Sequence, residues 1–254
     1  MAGHNKWSKI KRKKGVADAR RSKVWARMVR DIMIAAREGG GDPEMNARLA
    51  LAVEKAKAEN MPKDNIERAI KRGTGEIEGA DYEEMTYEGY GPGGVAFFVE
   101  CLTDNTNRTV ADVRHAFSKH GGNLGTSGSV AYLFERKGLI EVPAEGADGT
   151  AIDEDELFLV VAEAGAEDLR REEGTFVVTT PVDAFAQVQE AVEAAGIEPA
   201  EAALARIPTT TTRLDAEEAA KALRLVEALE DLQDVQEVYT TLELDEATAA
   251  ALSE

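Results

Sequence analysis

Side chains suited to contact phosphate are concentrated at the beginning of the chain. The first fourteen residues contain no acid and six cations, which are Lys6, Lys9, Lys11, Arg12, Lys13 and Lys14. Such cations neutralise phosphates and release counterions, which gives affinity without sequence selection. His4 and Asn5 can donate to phosphate or base edges, and Trp7 can stack on an unpaired base or anchor the segment to a helix. We predict that this basic arm (residues 4–14) contacts nucleic acid; the competing interpretation is a solvated chain end.

A second cationic surface is predicted on the helix that follows, from about Asp18 to Arg37. On a helical wheel its apolar residues share one face: Val24, Trp25, Met28, Val29, Ile32, Ala35 and Ala36. The opposite face is almost purely cationic and offers four candidate phosphate ligands: Arg20, Lys23, Arg27 and Arg30. Two residues break the pattern, because Arg21 lies in the apolar arc and Ile34 in the basic one. The face either extends the basic arm along a phosphate track or is simply solvated.

A third candidate surface lies around the polar segment LTDNTNRT, which begins at Leu102. Thr106 or Asn107 is predicted to cap a helix that runs from about Asn107 to His120, which explains only part of the polarity. Arg108, Arg114, Lys119 and His120 would give one positive patch on an acidic body. We therefore consider a possible second contact with RNA or protein, formed by Tyr90, Asn105, Asn107, Arg108 and Arg114.

Residue patterns typical of enzymes are weak or missing in the sequence. Three histidines and one cysteine form no zinc motif, and neither a Walker loop nor a nucleophile elbow occurs. Gly89, Gly91 and Gly94 match G-x-G-x-x-G, but the predicted strand VAFFVEC follows where a dinucleotide site requires a helix. We expect no enzymatic activity, no metal, no cofactor and no small-molecule substrate.

Charge is divided unevenly along the chain, whose formal net charge is −18. Residues 1–72 hold 19 basic and 9 acidic residues, net +10, and residues 73–254 hold 11 and 39, net −28. A basic block on an acidic body is typical of a polyanion-binding head. No apolar run could span a membrane, the basic arm lacks the apolar core of a secretory signal, and Cys101 has no disulfide partner. These features favour a cytoplasmic protein.

Periodicity predicts three helices in the first 78 residues. The second is expected to begin with Asp42 as N-cap and Pro43 at its first position, with Met45, Leu49, Val53 and Ala56 on one face. The third follows Pro62, carries Ile66 and Ile70 on its apolar face, and ends at Gly73. Short connections between three helices indicate a bundle.

From about Tyr82 the sequence alternates strands and helices. Strands are predicted at 82–88, 95–102 and, in SVAYLFER, at about 129–136; the order strand–helix–strand–strand–helix–strand then runs from Leu139 to about Ile207. That order is the ferredoxin-like one. A final helix and strand need partners among the strands around 82–134. We predict an α+β multidomain chain with a basic arm and three-helix bundle (1–78), a discontinuous middle α+β domain (79–136 plus 205–254) and an inserted ferredoxin-like domain (137–204).

Four segments, in order, resemble the YebC/PmpR family. They are MAGHNKWSKIKRKKG, PKDNIERAIKRGTG, YEGYGPGGVAFFVEC and LTDNTNRTVADVRHAFSKHGGNLGTSGSVAYLFERKG. The resemblance implies the same three domains and a cytoplasmic regulator of gene expression, commonly described as a DNA-binding transcriptional regulator. Some members, and the related mitochondrial translational activator of cytochrome c oxidase subunit I, look like ribosome-associated translation factors.

Two functions therefore stay open at this point. The first is a DNA-binding transcriptional regulator that uses the basic arm and first helix. The alternative is a ribosome-associated translation factor that binds ribosomal RNA and aids elongation or relief of stalling. No helix-turn-helix spacing is evident, and a basic arm without a recognition helix suits shaped RNA equally well.

Overall fold

A computed structural model describes residues 17–78, 82–146, 149–172, 174–245 and 248, with the backbone alone at 17–23. Its helices are α1 (Ala17–Gly39), α2 (Ala47–Ala58), α3 (Lys63–Gly73), α4 (Thr106–Lys119), α5 (Glu154–Glu163), α6 (Phe185–Ala194) and α7 (Ala216–Glu230). Its strands are β1 (Glu83–Tyr90), β2 (Ala96–Thr103), β3 (Asn123–Leu124), β4 (Phe134–Pro143), β5 (Asp168–Glu172), β6 (Thr175–Thr180), β7 (Glu201–Pro208), β8 (Thr212–Arg213), β9 (Val235–Thr240) and β10 (Leu242–Glu243). The chain divides into two compact units, one of which is Tyr132–Thr211. Within the described ranges, no helix combines the length and apolarity needed to cross a bilayer.

The first three helices pack around a shared apolar core, as predicted. α1 contributes Ile32, Met33, Ala35 and Ala36; α2 contributes Leu49, Val53 and Ala56; and α3 contributes Ile66 and Ala69. Trp25 packs against this core and donates its indole N–H to the Glu59 carbonyl at 3.1 Å. Gly73 ends α3 so close to α1 that a Cβ would lie 2.3 Å from the Met33 carbonyl oxygen, which explains a residue without a side chain there.

The start of α2 differs from the prediction. Residues 43–45 form a turn, and the helix begins at Ala47 with Asn46 as its N-cap; the Asn46 side chain accepts from Leu49 N at 3.1 Å. Asn46 also donates to the carbonyls of Ala35 and Gly40, so it ties the end of α1 to α2. Asp42 is therefore not the cap, and Met45 is 84% exposed rather than on the apolar face.

The rest of this unit contains a four-stranded sheet with the order β3-β1-β2-β9, on which α4 and α7 pack, and a parallel two-stranded sheet of β8 and β10. β1 pairs antiparallel with β2, and β2 pairs antiparallel with β9. The final predicted strand, β9, therefore pairs with a strand of the 82–134 region, as expected. The apolar core between sheet and helices contains Phe97 and Phe117 in edge-to-face contact, with ring centroids 5.7 Å apart. β2 begins at Ala96, two residues after the last glycine of GYGPGG, so a strand follows this segment, as predicted.

The second unit, Tyr132–Thr211, has the predicted ferredoxin-like order β4-α5-β5-β6-α6-β7. Its antiparallel sheet runs β5-β6-β4-β7, so the first and third strands are central. Side chains from strands and helices fill its core, among them Ile140, Leu157, Phe176 and Val188.

The strand predicted in SVAYLFER is partly wrong. Residues Ala131–Leu133 form a short 3-10 helix, and β4 then runs without interruption from Phe134 to Pro143. It therefore includes the LIEV segment that we expected to be a separate strand. Gly138 lies within this continuous strand and pairs with both Thr180 and Leu204.

Candidate nucleic-acid interface

Only part of the predicted interface falls within the residues that the structure describes. The basic arm, with His4, Asn5, Lys6, Trp7, Lys9, Lys11, Arg12, Lys13 and Lys14, lies outside them. Arg20 and Lys23 lie in α1 where the backbone alone is described. Their role in nucleic-acid binding stays a prediction.

Arg27 and Arg30, the next two cations of the α1 face, contact the last residue of α7 and the segment that follows it. Arg27 Nη2 donates to the Glu230 carbonyl, and Arg30 Nη2 donates to the Gln233 carbonyl. The last turn of α7 contains no basic residue of its own. Cations at a helix carboxyl end complement its negative dipole end and its unpaired carbonyls. We call this arrangement, with its four residues, the α1–α7 contact.

Arg30 is the buried member of the α1–α7 contact, with 4% of the residue exposed. Its Nε has no hydrogen-bond partner among the described residues, and burial lowers the pKa of its guanidinium. Ile34, one turn further along α1, is buried too, which explains an apolar residue on a face predicted to be basic. This part of the predicted surface is therefore an internal contact.

Arg108 is held by the buried carboxylate of Asp234, the residue just before β9. Its Nη2 lies 2.8 Å and its Nε 3.1 Å from Asp234 oxygens, and a second ion pair joins Nη2 to Asp104 at 2.8 Å. These hydrogen bonds, first the one to Asp234, raise the pKa of the Arg108 guanidinium. Asp234 also accepts from the hydroxyls of Thr103 and Thr109, at 3.2 and 2.8 Å. We call Thr103, Arg108, Thr109 and Asp234 the Asp234 network.

The polarity of LTDNTNRT is thus largely structural. Asn105, not Thr106 or Asn107, is the N-cap of α4, and its side chain accepts from Arg108 N at 3.1 Å. Thr103 Oγ1 accepts from Asn105 N at 2.9 Å. Asn105 and Arg108 therefore have roles in joining β2, α4 and β9, whereas Asn107 and Arg114 remain exposed on α4. Arg114 has no ion-pair partner in the described part of the chain.

Tyr90 lies beside a loop that is organised by a buried acid. The Glu88 carboxylate accepts backbone N–H groups of Gly128, Val130 and Ala131, each at 2.7 Å. Tyr90 donates its hydroxyl to the Ser129 carbonyl at 3.2 Å and is 39% exposed. The glycine-rich segment around Thr126–Gly128 therefore has a fixed shape, with an aromatic ring at its side.

Sequence reasoning missed the two acids that organise these sites, Glu88 and Asp234. Both lie among many acidic residues of an acidic body, so residue type alone did not distinguish them. Alternation in β1 gave no signal for Glu88, because Met85 and Tyr87 lie on the face that packs on the core and Glu88 lies on the opposite face. None existed for Asp234, whose partners Thr103 and Arg108 are more than one hundred residues away along the chain.

Exposed cations remain on α3, where Arg68, Lys71 and Arg72 have no ion pair within the described ranges. A shallow depression of about 210 Å³ beside them is lined by both acids and bases, so it shows no single charge preference. Among the side chains that the structure describes, no group of histidines, cysteines and carboxylates is arranged to hold a metal ion.

Family models match most of the chain. The TACO1/YebC protein N-terminal domain matches residues 5–76, and the TACO1/YebC second and third domain matches residues 82–242. A protein of Rubrobacter xylanophilus is 55% identical over 254 residues, covering 100% of both chains, and one of Salinibacter ruber is 56% identical over 246 residues, covering 96% of this chain and 94% of the relative. Both are named "probable transcriptional regulatory protein".

A solved structure agrees with the fold. The crystal structure of a conserved hypothetical protein from Aquifex aeolicus is 48% identical and superposes with a TM-score of 0.81, covering 90% of this chain and 93% of that one. The resemblance found in the sequence is confirmed: this chain belongs to the TACO1/YebC family.

Proposed function

We propose that this protein is a DNA-binding transcriptional regulator that holds phosphate backbone with its basic arm and helical part. The observation that carries the proposal is the separation of charge. Residues 1–72 have a net charge of +10, whereas the compact ferredoxin-like unit has 18 acids and 5 bases, net −13. A polyanion is attracted to the first and repelled by the second. The names of the relatives support the regulatory role.

The available cations define a smaller interface than the sequence predicted. The α1–α7 contact engages Arg27 and Arg30, so phosphate contacts would come from the basic arm, from Arg20 and Lys23, and from exposed cations such as Arg68. A second contact would use Tyr90, Asn107 and Arg114. We also propose the division into three domains with the bounds 1–78, 79–136 plus 205–254, and 137–204.

One observation favours the alternative, a ribosome-associated translation factor. With Arg27 and Arg30 engaged internally, the part of α1 whose side chains are described, residues 24–39, presents no continuous row of arginines to a major groove. Sequence-specific DNA readers place such side chains against base edges, whereas structured RNA is bound through shape and backbone. Ribosomal RNA is therefore the competing target.

Crosslinking in growing cells, followed by parallel sequencing of attached DNA and RNA, separates the two functions. The wild type is compared with a variant that has alanine at Lys11, Arg12, Lys13 and Lys14. Enrichment of promoter DNA that depends on these four cations supports transcriptional regulation. Enrichment of one ribosomal RNA region supports the alternative, and no crosslink to either nucleic acid contradicts the role of the basic arm.

A binding titration against salt adds a quantitative test with a matched control. Removing the four arm cations should reduce the slope of log K against log salt by about 3.6 for duplex DNA, at ~0.9 per phosphate contact. The control removes four exposed, acid-paired cations from the acidic regions, Arg170, Arg171, Arg213 and Lys221. It should leave the slope unchanged.

A further inference from the structure

The outer face of α5, in the ferredoxin-like unit, exposes two large apolar side chains side by side. Phe158 is 53% exposed and Leu159 is 61% exposed, whereas Leu157 and Val161 on the opposite face are buried in the core. Helical spacing places the exposed Ala162 one turn after Phe158. The core of the unit is complete without these two residues, so folding does not explain their apolar character.

Acids surround this apolar pair. Asp155 precedes Phe158 and Leu159 by three and four residues, and Glu156 and Glu163 lie one turn to either side of Leu159. None of these three carboxylates has an ion-pair partner in the part of the chain that the structure describes. The neighbouring Glu154 differs, since Arg171 Nη1 lies 3.9 Å from its carboxylate.

The position of Glu163 strengthens the negative potential of the α5 face. It lies in the last turn of α5, which contains no basic residue, where the helix dipole is itself negative. Asp155 and Glu156 lie in the first turn, where the dipole favours them. The carboxyl-terminal half of the face therefore carries an uncompensated negative charge beside exposed apolar surface.

We propose that this α5 face, formed by Asp155, Glu156, Phe158, Leu159, Ala162 and Glu163, docks a cationic segment of another protein that also offers apolar side chains. The acids steer a lysine- or arginine-rich segment, and Phe158 with Leu159 supply the desolvated centre that gives an interface its affinity. The inference goes beyond the proposed function and does not rest on it.

Charge complementarity selects this occupant over the others. Nucleic acid and anionic lipid are repelled by a unit with a net charge of −13. A second copy that used the same face would bring like carboxylates together. A second copy that used its basic helical part would form a heterologous contact, which need not close and risks open chains of molecules.

The test uses the full chain and a fluorescent, amphipathic Lys/Leu helical peptide as the probe. A peptide of equal charge with serine in place of each leucine serves as the second probe. Binding is measured for wild type, for Phe158→Ser with Leu159→Ser, and for a control pair, Met45→Ser with Tyr132→Ser. The control pair also removes large exposed apolar side chains, which are 84% and 71% exposed. Because all four positions are exposed, circular dichroism should be unchanged.

We expect the α5 pair to weaken binding of the Lys/Leu peptide about tenfold, the control pair to leave it unchanged, and the serine peptide to bind weakly to all three proteins. Glu156→Gln with Glu163→Gln should weaken binding about threefold at low salt and less at high salt, whereas Asp183→Asn with Glu190→Gln should not.

Three results would overturn the proposal. The first is equal binding by wild type and the α5 pair. The second is Phe158-dependent binding to neutral phosphatidylcholine vesicles in place of the peptide, which would make the face a membrane contact. The third is Phe158-dependent self-association in sedimentation, which would make the occupant a second copy.

Discussion

The α1–α7 contact and the Asp234 network both contain arginines that the sequence predicted to contact a ligand, but the intramolecular partners of these arginines differ. Arg30 is buried, donates to a carbonyl and leaves Nε without a described partner. The Arg108 side chain is 42% exposed, yet two carboxylates engage it. The exposed fraction of an arginine therefore does not show whether it is available to a ligand. Its hydrogen-bond and ion-pair partners show this.

The two sites meet at the short segment between α7 and β9. The Gln233 carbonyl accepts from Arg30, and the next residue, Asp234, engages Arg108. One segment is thus held from α1 on one side and from α4 on the other. We expect the carboxylate-based site to be the stronger, since hydrogen bonds between ionised partners exceed those to a neutral carbonyl.

The largest effect is expected at the Asp234 network. Asp234→Ala leaves the buried Thr103 and Thr109 hydroxyls and the Arg108 guanidinium without their shared acceptor, and should lower the free energy of unfolding by about 3 kcal/mol. Urea denaturation measures it. Asp104→Ala, which removes the exposed partner of Arg108, is the control and should cost less than about 0.5 kcal/mol. Equal losses would contradict a central role for Asp234.

A smaller loss is expected at the α1–α7 contact. Arg30→Met keeps the buried stem and removes the guanidinium, and should lower the free energy of unfolding by about 2 kcal/mol, because the Gln233 carbonyl after α7 loses a charged donor. Arg27→Met, at a less buried position, should cost about 1 kcal/mol. If Arg30→Met instead keeps full stability and weakens nucleic-acid binding, Arg30 is a ligand for phosphate. That result would contradict its assignment to an internal contact.

Cys101 lies in β2, two residues before Thr103 of the Asp234 network. Burial, with Asp234 nearby, raises the pKa of its thiol from 9.0 to about 12. The folded state resists ionisation, so this thiol's stabilising effect is complete below pH 9 and is lost as pH rises toward 12. Above pH 9 the loss should approach about 1.4 kcal/mol per pH unit. Cys101→Ala should remove this component from the pH dependence of unfolding; identical slopes in both proteins would contradict it.

The smallest effect is expected at Arg114, which lies exposed on the same helix as Arg108 and has no ion pair with any residue that the structure describes. Arg114→Ala should leave urea stability unchanged, weaken nucleic-acid binding about threefold and reduce the salt slope by ~0.9, the value of one phosphate contact. Arg170→Ala, in the acidic unit, is the matched control. Unchanged binding by Arg114→Ala would count against a second contact on α4.

Helix and strand order could be predicted because it depends on local periodicity. The apolar faces of α1 and α3 and the βαββαβ order follow from spacing within a few turns or strands. The error at the start of α2 occurred where two local signals competed. Asp42-Pro43 offers a helix start, but Asn46 both caps α2 and binds two carbonyls at the end of α1, so the later start is the more stable.

By itself, the sequence determined the fold class, the family and the separation of a basic head from an acidic body, since these depend on residue type and order along the chain. Only the tertiary structure decided which cations are available. Arg27 meets Glu230 across 203 residues, and Arg108 meets Asp234 across 126. Such pairings depend on how α1, α4, α7 and β9 pack together, and no local pattern in the chain encodes them.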